Sequence, residues 1–168
     1  MRAVALPPPW TPERGRDDRA TGKETDMATT GITALDHSVQ VAAEWLNELS
    51  DRLDWPRDNR ASYLLLRTVL HAVRDWLNPD EAADLAAQLP LLVRGVYYEG
   101  WNPSSTPVHP RSKTAFMERI DKAFSKDSLA DPEAAVSAVF WLLDRHVSGG
   151  EIEQVRHAMR KELRDLWP

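Results

Sequence analysis

A single offset of 70 residues constrains this chain more than any motif in it. Moved back by 70, the apolar residues Val136, Val139, Phe140, Leu143 and Val147 fall on Leu66, Val69, Leu70, Val73 and Leu77. Their spacing of 3, 1, 3 and 4 is one stripe of an α-helix. The register then crosses a turn without a break. Ile152, Val155, Met159, Leu163, Leu166 and Trp167 fall on Ala82, Leu85, Leu89, Val93, Val96 and Tyr97, and Glu151 and Arg164 fall on Glu81 and Arg94. Matching through two helices and the turn between them implies one unit used twice. Two units are too few for an open solenoid. The expected fold is therefore all-α, a closed helical bundle of two pseudo-symmetric repeats. Each repeat holds three to four helices, over residues 35–101 and 112–168.

Local signals place the helices. The first spans about 35–53 and is stopped by Trp55-Pro56, and the second starts near Asp58 or Asn59 and runs to Leu77. Asn78-Pro79-Asp80-Glu81 predicts a capping box with proline in the first turn. That third helix runs to Gln88, and Pro90 either kinks it or starts a fourth, which ends at Gly100. Residues 101–113 read as the linker between repeats. Helices follow over about 112–124, from Asp131-Pro132 to a stop at Ser148-Gly149-Gly150, and from Glu151 through Met159, straight or bent, to Trp167. No segment alternates with a period of two, so no strand is expected.

Residues 1–30 carry prolines at 7, 8, 9 and 12 and no apolar period, and read as a disordered extension, with Met27 as an alternative start. The remainder, 31–168, is long enough for one domain with a real core. The chain has no cysteine, which removes disulfides and thiolate chemistry. It has no apolar run long enough to cross a bilayer and no secretory core before its first prolines, so a cytoplasmic location away from membranes is expected. Residues 1–26 balance five basic against five acidic side chains, leaving the net charge of −5 in the folded part. Arg and Lys are interleaved with acids, so nucleic acid is not an expected partner.

Side chains able to do chemistry are few. Arg94, Tyr97, Tyr98, Glu99 and Trp101 crowd one helix end beside Gly100 and form the candidate binding patch. Tyr97 is also a candidate for the core, because it aligns with Trp167. His71 and Asp75 stand four apart on one helix, and His146 closes another. These, with Trp167, are secondary candidates. The offset aligns His71 with Trp141 and His146 with Trp76, so a two-fold arrangement predicts each imidazole against a tryptophan from the other half. No repeated Glu-x-x-His, nucleophile elbow or phosphate loop is present, and no metal, cofactor or catalytic residue is expected.

Several stretches resemble a bacterial family, domain of unknown function 2267. They are Trp45-Leu-Asn-Glu-Leu49, Val69-Leu-His-Ala-Val-Arg-Asp75, Glu81 through Pro90, Arg94-Gly-Val-Tyr-Tyr-Glu-Gly-Trp101, His146 through Glu153, and Glu162-Leu-Arg-Asp-Leu-Trp-Pro168. The resemblance covers about residues 33–168 and implies a helical cytoplasmic domain. It transfers no catalytic residues. The family pattern often has Leu-Pro before the last helix, whereas Met159-Arg160 stands here and leaves that kink without its proline. The function expected is a non-enzymatic helical module that binds another protein or itself. The alternative is a small-molecule binding or sensing domain with a pocket between the repeats.

Overall fold

A computed structural model of the protein describes residues 30–56 and 59–168. The expectations for the N-terminal extension and for Met27 fall outside those residues, Thr30 excepted. The described chain is all-helical. Its helices are α1 (Thr33–Arg52), α2 (Asn59–Trp76), α3 (Pro79–Gln88), α4 (Leu91–Tyr98), α5 (Lys113–Ala123), α6 (Pro132–His146), α7 (Gly149–Ala158) and α8 (Lys161–Arg164), with a 3₁₀ turn at Pro103–Ser105.

The caps follow their local chemistry. Asn78 accepts from the Glu81 N–H while Glu81 accepts from the Asn78 N–H, both at 3.0 Å, closing the capping box. Ser112 and Asp131 cap α5 and α6 through the N–H groups of Ala115 and Ala134. Gly100 takes the positive φ (65°) just past α4 that any residue with a Cβ would resist.

Helix boundaries recur at the 70-residue offset: α3 and α7 begin at 79 and 149, and α4 and α8 at 91 and 161. Between α3 and α4, Leu89 and Pro90 are extended (ψ 145° and 155°), so Pro90 starts a helix instead of kinking one. The chain also breaks at Met159-Arg160 (ψ 148° and 152°), where one continuous helix was expected. Proline is not what makes this corner. Leu89 and Met159 are both buried, and driving that side chain into the core turns the chain whatever residue follows. A second correction concerns Gly149 and Gly150, which open α7 and do not end α6. There the extended pair Val147-Ser148 separates the two helices.

α2 is central and packs on α1, α4, α5 and α6. Across the halves α2 meets α6, α3 meets α7, and α1·α6 answers α2·α5. The core holds Trp45, Trp76, Tyr97, Phe116 and Phe140, all essentially inaccessible. Phe140 stacks on Trp167 with ring centres 4.1 Å apart, and Trp76 meets Phe116 edge-on at 5.3 Å. A hydroxyl pair that sequence reasoning missed, Ser50 with Ser62 at 2.6 Å, ties α1 to α2 within this core.

Candidate functional site

The stretch Arg94–Trp101 divides between core and surface. Tyr97 is fully buried and its hydroxyl donates to the Ala82 carbonyl at 3.0 Å, so it leaves the candidate patch for the core. Burial pushes its phenol pKa far above the ordinary value. Arg94 donates to the Ala87 and Leu89 carbonyls at 3.1 and 2.9 Å, closing the end of α3. Tyr98 is half-buried between Tyr97 and Trp101, with ring centres 5.3 Å from each. Glu99 is exposed and pairs with Arg67 at 2.7 Å, which holds its carboxyl below the usual range. Tyr98→Ala is expected to cost about 1–2 kcal/mol in urea unfolding, between a surface and a core truncation. A larger loss would assign the ring wholly to the core.

α2 supplies the other half of this lock. His71 Nε2 lies 2.7 Å from the Val96 carbonyl, and the buried Arg74 donates to the carbonyls of Tyr97 and Glu99. These bonds satisfy the last carbonyls of α4, which an isolated helix leaves open. Asp75 is held by Arg74 at 2.8 Å and by Arg119 of α5 at 2.7 Å. His71, Asp75 and the α4 end therefore converge, but His71, Arg74, Asp75 and Glu99 are bonded to backbone or to an oppositely charged side chain, while Trp101 Nε1 and Arg94 Nε are buried without a partner. Fold and helix ends absorb the chemistry that the sequence pattern suggested for a site.

His146 stacks on Trp45 of α1, with ring centres 4.7 Å apart, and its Nε2 is 3.1 Å from Glu48. The expected imidazole–tryptophan contact across the halves thus forms for His146. The ring contacts among the described residues include none between His71 and a tryptophan. Trp141, which the offset aligns with His71, lies under Arg52 (5.2 Å) and Arg145 (5.8 Å). Trp167 is buried against Phe140 and is likewise a core residue. Among the described residues, no group of three or more His, Asp or Glu side chains is placed to hold a metal ion, and no helix is long and apolar enough to cross a membrane.

Ser148 and Glu151 have capping-box spacing, yet Ser148 makes no side-chain cap. Glu151 is only 8% exposed, and its Oε1 has no hydrogen-bond partner. Burial, then the negative charge of Asp84 and Glu81, raises its carboxyl pKa. The folded protein thus holds this proton more tightly than the unfolded chain. Stability is fully present below the ordinary glutamate value and falls as pH rises through the raised one. Glu151→Gln is expected to add about 1 kcal/mol at neutral pH and to flatten that part of the profile, as read by melts at successive pH values. His71 works in the opposite sense. Burial lowers its pKa, so stability is present above the ordinary histidine value and is lost as pH falls below it.

Beside this hydrogen-bonded region, with Arg67 and Val96 common to both, lies an open apolar groove that sequence reasoning did not find. Val39, Ala42, Ala43 and Leu46 of α1, Tyr63, Leu66 and Arg67 of α2, and Leu92, Val93 and Val96 of α4 enclose about 390 Å³. Six large apolar residues are exposed by 40–55%: Ile32, Leu35, Val39, Tyr63, Leu91 and Leu92. Val39, Tyr63 and Leu92 line the groove, Ile32 and Leu35 continue the α1 stripe upstream of Val39, and Leu91 precedes Leu92 on α4. The signal was present in the 3, 4, 3, 4 spacing of residues 32, 35, 39, 42 and 46, but a stripe carries no mark of whether it is covered. A second hollow of about 730 Å³ lies between the start of α2 and the α5–α6 connection, with Trp55, Arg60, Lys126 and Asp127 among its walls.

No curated protein matches this chain. A family model does match, over residues 42–166, and its description is uncharacterized conserved protein (DUF2267). The match takes in α2 to α8 and the groove except for Val39. The chain belongs to the DUF2267 family.

Proposed function

We propose that this DUF2267 protein is a non-enzymatic helical module of the cytoplasm that works by binding a protein through the α1/α2/α4 groove. The observation that carries the reading is the groove itself: an open, almost wholly apolar channel flanked by exposed aliphatic side chains. Clefts of this kind take the apolar face of a helix. The polar groups nearby are engaged elsewhere, Arg67 with Glu99 and His71 with the Val96 carbonyl. Reading the bundle as two repeats is supported by the recurring helix boundaries and by the contacts that exchange with the halves.

The test is a photo-crosslinking residue at Leu92, used in the native host, with Val39→Glu as the control. A cross-linked protein species that disappears with Val39→Glu is the expected result. A small molecule captured by the same cross-linker placed at Lys126, with no protein captured from Leu92, would favour the alternative, a sensing domain. That alternative draws on the larger hollow between the halves, whose walls mix Trp55 with charged side chains.

A further inference from the structure

We propose that the occupant of the groove is a second copy of this chain, packed antiparallel along α1 about a two-fold axis; this rests on the groove being a protein-docking surface.

The first observation is the state of α1. From Thr33 to Glu44, three turns of helix, no residue is buried, although Leu35, Val39, Val41, Ala42 and Ala43 are among them. Of this stretch only Val41 and Ala42 rest against the core, half-covered, and the first fully buried residue is Trp45, followed by Leu49 and Ser50. A helical stretch that short is marginal in water when nothing covers its apolar side. Its upstream end is nevertheless held, because Asp36 accepts from both the N–H and the hydroxyl of Thr30 at 2.8 Å.

The second observation is that the stripe is self-complementary. Leu35, Val39, Ala42 and Leu46 are spaced 4, 3 and 4, a pattern that reads the same from either end. In an antiparallel pair Val39 of one copy therefore faces Ala42 of the other, and Leu35 faces Leu46. A branched side chain then meets a position with room for it, twice, as an isologous contact requires. Ala42 and Ala43 keep the floor of the groove low, while the exposed Leu92 stands at the edge formed by α4.

The third observation is area. Exposures of 40–55% on Ile32, Leu35, Val39, Tyr63 and Leu92 amount to roughly 400 Å² per copy, within the range of the largest patch a monomer leaves open. With the half-buried Ala42, Ala43, Leu46 and Val96 the face stays below the ~800 Å² per partner of stable dimers, which fits a weak, concentration-dependent association.

Sedimentation of the full chain over a range of concentrations tests the proposal. The expected result is reversible association to twice the chain mass. Val39→Glu and Leu92→Glu, both at exposed positions, should each weaken it by at least ~tenfold while leaving the helical circular-dichroism signal unchanged. The chain has no cysteine, so a Val39→Cys/Ala42→Cys variant should oxidise to a covalent dimer, and Lys161→Cys should not. A monomer at every concentration overturns the proposal. Dimerisation that neither glutamate variant weakens also overturns it, since another surface would then be responsible. A monomer that still cross-links to a different protein through Leu92 overturns the second copy as occupant and leaves the docking surface standing. A monomer that dimerises only after removal of residues 1–29 assigns the groove to that segment instead.

Discussion

Phe140→Ala is expected to cost about 3–5 kcal/mol, the largest single loss in this protein. The ring is fully buried in the middle of α6, stacks face to face on Trp167 at 4.1 Å and faces Phe116 of α5 at 6.4 Å. Its removal opens a cavity between two aromatic groups from separate elements, Phe116 and Trp167. Neither of them can follow the receding surface without disturbing its own packing. The cavity cost therefore adds to the lost transfer energy. Trp167 sits next to the C-terminus, so its ordering depends on the stack. Urea unfolding followed by tryptophan fluorescence reads both effects, a lower midpoint and a native baseline shifted by the freed indole. A loss below about 1.5 kcal/mol would mean that the terminal turn closes over the gap and that the stack is not a fixed part of the core. Phe140→Leu separates volume from aromaticity. It should retain more than half of the loss-free stability, because it fills most of the space but cannot stack.

Arg74→Met comes next, with an expected loss of about 2–4 kcal/mol. The guanidinium is 5% exposed and is bonded to Asp75 and to the carbonyls of Tyr97 and Glu99. Methionine keeps most of the apolar stem and removes every donor. Two carbonyls at the end of α4 lose a partner, and Asp75 keeps only Arg119. The retained Arg119 pair keeps the loss below that of an isolated buried charge. Hydrogen exchange supplies the local readout. Protection should fall first around Glu99–Trp101, while the α6 amides change only as much as global stability does. Lysine at 74 should rescue little, because a single ammonium cannot bridge a carboxylate and two carbonyls as the planar fork does. Uniform loss of protection throughout the chain would show that α4 is not a separate unit held by this arginine.

The helices were legible because their signals are local. A stripe at helical spacing, an Asn-Pro-x-Glu start and a glycine after Tyr98 act within one or two turns of themselves. Two readings failed for the same reason. Gly149-Gly150 has the residue types of a stop yet opens α7, and Met159-Arg160, expected within one helix with at most a bend, is a full break; in both places the turn depends on what the neighbouring Val147 and Met159 bury. The candidate patch shows the limit from the other side. Arg94, Tyr97, Tyr98, Glu99 and Trp101 carry the side chains of an interface, yet Tyr97 and Arg94 spend their polar atoms on the carbonyls of Ala82, Ala87 and Leu89. Composition cannot distinguish a hydrogen bond made to a partner from one made to the next helix.

Helix class, helix order and the 70-residue recurrence follow from the order of the residues, because periodicity and capping depend on neighbours only a few positions apart. Which apolar stripes are covered is settled only when the helices assemble. Val39 and Leu70 are equally apolar in the sequence. Leu70 is sealed by the packing of α2 into the centre of the bundle, and Val39 is left 50% open on the wall of a groove that no described element fills. Burial is a property of pairs of surfaces distant in sequence, and for that reason the groove, the lock at the end of α4 and the unpaired Glu151 belong to the tertiary structure alone.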